Sequence, residues 1–450
     1  MSAPTPREER PAAAATAAES AESWPAPRYA WYVVGVLAVA NLLASIDRTI
    51  LNLLITPIKS DLALSDTQMG LIAGAAFGIV HTLMILPFGW RADRAARNRI
   101  ITLGITFWSI LTASCGLART FTQLFAARMG VGIGEATLAA SVAPLISDYF
   151  PRLRRTLPLS VFSVVGAMGN GVAFLVGGAL SAIVAGGASL NLPLLGELRP
   201  WQTVFVAVGL PGLLWALLTL TVREPSRHRG EIVDNAGLIR LLRERANVIA
   251  PHFLGNCCFT IFAYGAGAWT PTVLMRVHGW SMQQVGYTLG LMYLFVVFAG
   301  GTLGGLVSQW MLSRGRQNAN LLTMCLGITA ATVPGALVGF MPSGWSTVAV
   351  LVPLTFLTIF PGGPSTAAMQ EIAPSRLRGR ISALYHASTG LLGLSFGALV
   401  IGLLTDHFFH DEHAVAKSIS LAAVILCPLG ALLVFLAARA RAALGPLGHA

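Results

Sequence analysis

Long apolar runs alternate with short polar breaks along this 450-residue chain. An α-helix needs about 20 mostly apolar residues to cross a bilayer core. Runs of about that length or longer fall at 30–57, 66–90, 100–118, 121–148, 157–186, 201–222, 248–274, 282–312, 320–341, 346–370, 381–405 and 416–437. The pattern predicts an all-α membrane protein whose twelve transmembrane helices form two pseudo-symmetric six-helix bundles. Residues 223–247 are the one long polar break and divide the runs six and six. The expected organisation is a disordered cytoplasmic tail at 1–28, an N-terminal bundle at 29–222, a cytoplasmic linker at 223–247, a C-terminal bundle at 248–438 and a short cytoplasmic tail at 439–450.

An internal repeat supports the division. Gly89-Trp-Arg-Ala-Asp93-Arg94 follows the second run, and Gly305-Leu-Val-Ser-Gln309-Trp310 follows the eighth, 216 residues later. Asp148-Tyr-Phe-Pro151-Arg152-Leu-Arg154 after the fourth is echoed by Glu371-Ile-Ala-Pro374-Ser-Arg376-Leu-Arg378 after the tenth. Two related halves with a site between them form a transporter architecture. Positive charge sets the expected orientation, because Lys and Arg accumulate on the cytoplasmic side. With the N-terminus inside, 23 of the 30 Lys and Arg residues fall in cytoplasmic segments and five on the opposite side: Lys59, Arg119, Arg199, Arg276 and Lys417. Both termini are therefore expected in the cytoplasm and the protein in the inner (plasma) membrane.

Composition fits this reading, with 55% hydrophobic and 11% charged residues and a mean hydropathy of +0.69. The net charge of +11 is spread over the connections instead of forming one block, so it reads as topology and not as a nucleic-acid surface. The first 28 residues, rich in Ala, Pro, Glu and Ser, show no cleavable signal pattern. Cys115, Cys257, Cys258, Cys325 and Cys427 all lie in apolar runs without metal-ligand spacing, and are read as packing residues. No G-x-S-x-G elbow, H-E-x-x-H pair or nucleotide-binding loop ending in Lys-Ser or Lys-Thr is present, so an intramembrane enzyme is disfavoured, and no metal or cofactor is expected.

The candidate chemistry lies in the charges within the spans. Asp47 and Arg48 in the first and Arg128 and Glu135 in the fourth are the charged residues well inside predicted spans. Each would cost about 2.5–3.5 kcal/mol unpaired at the bilayer centre, together about 10 kcal/mol, as much as a typical domain's whole stability. They are therefore expected to pair or to face water. Asn41, Ser45, Arg48 and Asn52 follow helical steps and make a polar stripe with Asp47 at its flank. Arg128 and Glu135 are two turns apart, and Gly130, Gly132 and Gly134 between them allow close helix approach. Desolvation favours a protonated carboxyl and a nearby guanidinium an ionised one, so moving Arg48 or Arg128 would switch proton affinity at Asp47 and Glu135. Salt bridges that fix helix packing are the plainer alternative.

Other residues carry less. His81 in the second span and His386 in the eleventh lie near mid-membrane, where an imidazole can titrate or simply hydrogen-bond. A structural role is the expectation for each, with His386 also carried as a cavity residue. Gly70, Gly74 and Gly78 read as a close-packing face, with sliding during conformational change as a further use. Phe259, Phe262, Tyr264 and Trp269 either line a route for an amphipathic solute or pack, and Tyr264 is kept as a cavity candidate. The second half otherwise reads as strongly apolar.

The segment Gly89-Trp-Arg-Ala-Asp93-Arg94-Ala-Ala-Arg97-Asn-Arg99 resembles the loop signature of the major facilitator superfamily. That resemblance implies the family's fold and gives Asp93, supported by Gly89, Arg94 and Arg97, a role in cytoplasmic gating. Arg128-Met-Gly-Val-Gly132-Ile-Gly134 is similar to the superfamily's fourth-helix motif, which implies a part for Arg128 in proton coupling. Asn41-Leu-Leu-Ala-Ser-Ile-Asp47-Arg48, Gly132-Ile-Gly134-Glu135-Ala136 and Ala143-Pro144-Leu-Ile-Ser147-Asp148-Tyr-Phe resemble the spinster branch over residues 30–225. That branch implies movement of lysophospholipid- or sphingolipid-like amphiphiles, with Asp47, Arg48 and Glu135 operating proton coupling. The chain departs from the pattern in two places. Gly166-Ala-Met-Gly169-Asn170-Gly171 lacks the Gly-Pro pair of the antiporter motif, and Gln309 replaces an acid in the second-half loop.

The expectation is thus a monomeric bacterial inner-membrane transporter whose partners are an amphipathic or lysolipid solute, protons and membrane lipids, with no nucleic acid. Asn41, Ser45, Asn52, Tyr264 and His386 are its candidate cavity residues. Two alternatives stay open. One is proton-coupled transport of a small organic anion held by Arg48 or Arg128; the other is a non-transporting membrane sensor.

Overall fold

A computed structural model describes residues 24–151, 154–185, 191–192, 196–225, 235–374 and 377–443. The tail through residue 23, the linker centre at 226–234, the last residues from 444 and the motif arginines Arg152 and Arg376 lie outside them. The first bundle is built from α1 (Pro27–Leu62), α2 (Asp66–Ala92), α3 (Arg97–Cys115), α4 (Phe121–Ser147), α5 (Thr156–Ala185) and α6 (Pro200–Thr219). A short linker helix α7 (Asn235–Glu244) leads into α8 (Ala246–Val277), α9 (Met282–Ser313), α10 (Ala319–Phe340), α11 (Gly344–Ile372), α12 (Arg378–Phe409) and α13 (Glu412–Ala443). Eleven of these helices are long and apolar enough to cross a membrane. The twelfth, α3, has 19 residues but opens on Arg97, Asn98 and Arg99, which lower its mean hydropathy. Between α5 and α6, β1 (Asn191–Leu192) pairs antiparallel with β2 (Gly196–Glu197).

Within the first bundle α1 runs along α5, α4 packs on α2 and α3, and α6 packs on α3. Within the second, α13 packs on α8 and α10, and α11 on α9 and α10. The bundles meet where α2 crosses α12 and α5 crosses α9, with α1 also touching α8. Glycine permits both crossings. A Cβ on Gly70 would come within 2.7 Å of the Ala398 carbonyl, and one on Gly74 within 2.6 Å of the Ser395 carbonyl. Gly178 and Gly286 abut in the same way where α5 meets α9. The Gly70, Gly74 and Gly78 face thus packs against the opposite bundle. Because the obstacle at Gly74 is backbone, Gly74→Leu is expected to cost about 1–3 kcal/mol and lower the thermal unfolding midpoint in detergent. Gly35→Ala, with nothing within 4 Å of the new Cβ, should leave the midpoint unchanged or slightly higher.

Charge closes one end of the interface. Fully buried Asp66, at the start of α2, accepts from Lys59 Nζ at 2.9 Å and from both Arg276 terminal nitrogens at 2.7 and 3.0 Å. Lys59 also reaches Glu412 at 2.8 Å, and Asp406 of α12 accepts from the backbone N–H groups of Thr67 at 2.6 Å and Asp66 at 3.3 Å. Farther along the same crossings Gly390 of α12 lies against Thr82 of α2, and Gly171 of α5 against Leu294 of α9. Ion pairs between the bundles thus close the Asp66 end.

Candidate functional site

The four intramembrane charges converge inside the first bundle. Gly166 and Gly169 of α5 make room for Asn41 and Ser45, so the polar stripe of α1 faces inward. A Cβ on Gly132 would meet the Phe77 carbonyl at 2.7 Å, and one on Gly134 would meet Trp108 at 2.7 Å, so α2 and α3 close tightly on α4. That approach brings Arg128 and Glu135 against α1.

Arg48 Nη1 donates to Glu135 Oε2 at 2.9 Å and its Nη2 to Ser45 Oγ at 3.0 Å. The Glu135 side chain is 1% exposed and that of Arg48 30%, so the pair joins a buried carboxyl to an accessible cation. Asp47 is held differently. Its Oδ2 accepts from the Thr112 hydroxyl at 3.0 Å, and its backbone carbonyl accepts from Arg128 Nη1 at 3.3 Å. The buried Arg128 guanidinium also stands 5.3 Å from the centre of the Phe77 ring, whose plane stacks on His81 at 5.1 Å. Asp47 Oδ1 and Glu135 Oε1 are buried without a hydrogen-bond partner, so each can take a proton without breaking a bond. Thr112→Val removes the hydroxyl at nearly constant volume and is expected to destabilise the fold by about 1–2 kcal/mol, read as a lower unfolding midpoint.

A cavity of about 220 Å³ opens beside this group, lined among others by Asn41, Arg48, His81, Glu135 and Phe162. His81, expected to serve packing, both packs on Phe77 and lines the cavity. Asn52 is partly buried on α1, one turn beyond Arg48 and outside that lining. Tyr264 and His386 belong to the second bundle and also lie outside it. Phe259, Phe262 and Trp269 are buried in the core, whereas Tyr264 is largely exposed and packs beside Gly393.

At the end away from Asp66, Asp93 caps α2, and Arg94 stacks on Trp90. Arg97 donates from Nε to Glu224 at 2.8 Å and from Nη2 to Asp148 at 2.6 Å, tying the start of α3 to the ends of α4 and α6. Glu224 drew no notice in the sequence because it sits in a polar break. The second bundle is less uniformly apolar than its sequence suggests. His252 Nε2 lies 3.4 Å from Ser365 Oγ, which also meets the Tyr385 hydroxyl, while Asn256 donates to Thr389 at 2.8 Å. Isolated hydroxyls and amides in apolar helices barely alter hydropathy, yet here they join three helices.

Two six-helix bundles closed at one end, with a charged cavity in the membrane interior, define a polytopic membrane transporter. The chain belongs to the Major Facilitator Superfamily, whose sequence profile matches residues 37–398; its members are transporters, not enzymes. An MFS-type efflux pump of Mycolicibacterium smegmatis is 29% identical over 91% of this chain and 93% of its own. A probable galactarate/D-glucarate transporter of Bacillus subtilis is 27% identical over 84% and 86%. A sphingosine-1-phosphate transporter of Xenopus tropicalis is 26% identical over 91% and 82%. A crystal structure of a bacterial homologue of the human lysosomal transporter Spinster, inward-facing and unoccupied, matches with a TM-score of 0.80 and 25% identity over 93% of this chain and 99% of that one. The spinster resemblance of the first half is therefore borne out.

Proposed function

We propose that this protein is a proton-coupled secondary transporter that moves an amphipathic, lysophospholipid- or sphingolipid-like solute across the inner membrane by alternating access. The observation that carries the coupling is the buried Asp47 and Glu135 pair, each with one unpartnered oxygen, beside Arg48, which reaches the cavity. Protonating Glu135 at Oε1 turns its ion pair with Arg48 into a weaker neutral-acceptor hydrogen bond, and that loosening biases which end of the bundle interface opens. Arg128 holds Asp47 in place through its carbonyl. Asn41, Ser45, Asn52, Tyr264 and His386 are assigned to the solute path, and Gly89, Asp93, Arg94 and Arg97 to a gate at the Asp93 end. The Arg-rich Asp93 end is taken as cytoplasmic, with both termini there. The bundles at 29–222 and 248–438 rock about the linker at 223–247, and one chain suffices because the cavity forms within it. The amphiphile reading draws on the similarity to the sphingosine-1-phosphate transporter and the Spinster homologue.

A second reading, uptake of a small organic anion with protons, is favoured by the modest 220 Å³ cavity, the accessible Arg48 and the similarity to a sugar-acid transporter. One experiment separates them: uptake of a fluorescent lysophospholipid and of radiolabelled glucarate into proteoliposomes, with and without an imposed pH gradient. Gradient-dependent lysolipid flux supports the first reading. Glucarate flux without lysolipid flux overturns it in favour of the second.

A further inference from the structure

Each bundle carries the same device near one end of a crossing helix, about a turn out of register with the 216-residue repeat. Near the end of α2 the Trp90 indole, 59% exposed, lies under the Arg94 guanidinium, 4.2 Å from the ring centre. Near the end of α9 Trp310, 51% exposed, lies under Arg314 at 4.1 Å. Each pair is spaced i, i+4, and both members are displaced by the same 220 residues. Both helices take part in the crossings between bundles. The exposed Leu83 and Leu86 continue α2 from its last close approach to α12 toward Trp90, and Phe295 and Phe298 begin the run of α9 from Leu294 toward Trp310. A Trp–Arg stack thus stands toward the Asp93 end of each seam.

We propose that the Trp90–Arg94 and Trp310–Arg314 stacks are a matched pair of docking sites for the phosphate headgroups of leaflet phospholipids. An exposed indole at the end of a membrane-spanning helix belongs at the boundary between acyl chains and headgroups. The guanidinium fork matches phosphate oxygens, and stacking on the ring holds it planar before the lipid arrives, which lowers the entropy lost on binding. Arg94 spends one N–H on the Trp90 carbonyl at 3.1 Å, which further fixes its position. Together the sites gather lipid at both seams, where an amphiphile in the same leaflet would reach the cavity sideways. The inference rests on membrane placement and not on which solute is carried.

The test is native mass spectrometry of the detergent-purified full chain loaded with dioleoyl phosphatidylglycerol. The variants are Arg94→Gln, Arg314→Gln, the double Gln variant and the double Lys variant. The unsubstituted chain is expected to retain about two lipids that survive stepwise activation, each single Gln variant about one, and the double Gln variant about none. The double Lys variant keeps the charge without the stacked fork and should fall between. Equal retention by the unsubstituted and double Gln chains overturns the proposal. Displacement of the lipid by an equal concentration of inorganic phosphate overturns the lipid assignment, and equal retention by Lys and Arg chains overturns the role of the stacks. A thermal midpoint taken for each variant identifies any that fails to fold, in which case the Lys pair carries the comparison.

Discussion

Glu135→Gln is expected to reduce flux driven by a pH gradient by more than about tenfold while leaving solute exchange across the same proteoliposome membrane largely intact. Glutamine has the shape of the protonated acid and can still accept the Arg48 hydrogen bond, but it cannot lose a proton. If protonation of Glu135 is the coupled step, the variant stays in its loaded form. That form can shuttle solute for solute, yet it cannot complete a cycle in which protons leave. The fold should tolerate the change. Removing one partner of a fully buried ion pair costs about 3–5 kcal/mol, but Arg48 reaches the cavity and can hydrate, so the expected loss is below about 2 kcal/mol. Loss of both driven flux and exchange, with an unchanged unfolding midpoint, would mean that Glu135 positions Arg48 for solute and does not carry a proton. Unimpaired driven flux would remove Glu135 from the coupling altogether.

Asp66→Asn is expected to have the largest conformational effect of any single substitution at the closed end. Asp66 is the acid on which Lys59 of its own bundle and Arg276 of the other converge, and it is fully buried. The asparagine leaves two cations facing each other across the bundle interface without the charge that binds them. Such a loss is worth about 3 kcal/mol, which moves an equilibrium between two conformers by more than about a hundredfold. Hydrogen exchange read by mass spectrometry should show faster exchange in peptides covering 59–70 and 404–412, and slower exchange near 89–97 as the opposite end closes. Unchanged exchange at both ends would show that the glycine crossings, and not the ion pairs, hold the closed state.

The sequence pattern was most legible where the physics is local. A bilayer demands the same run of apolar residues anywhere in the chain, so the helices start and stop within a few residues of their expected places. The exceptions have charges at their ends. The first helix runs on past residue 57 to Leu62 because Lys59 finds Asp66 and Glu412 instead of lipid. The third begins at Arg97 and not at residue 100 because Asp148 and Glu224 neutralise that arginine. Asp47, Arg48, Arg128 and Glu135 stood out because charge within a span is costly, and the structure gathers them at one site. Their supports were hidden. Thr112 and Phe77 are ordinary residues for apolar helices, and His81 gave no sign of whether it faced a neighbour or the cavity. The ion pairs of the closed end were the least visible, since Lys59 and Asp66 meet Arg276, Asp406 and Glu412 from the far half of the chain, and no local pattern records that encounter.

The closed end also borrows part of a helix cap. The start of α2 satisfies the Ser65 and Gln68 amides through its own Ser65 and Gln68 side chains, but the Asp66 and Thr67 amides depend on Asp406 of the other bundle. Parting the bundles therefore strips two N–H groups at the positive end of a helix, and water has to wet them as the carboxylate withdraws. The opening step is consequently a hydration event as much as a mechanical one. Its rate should slow in solutions of low water activity, in which a hinge that merely swings would be indifferent.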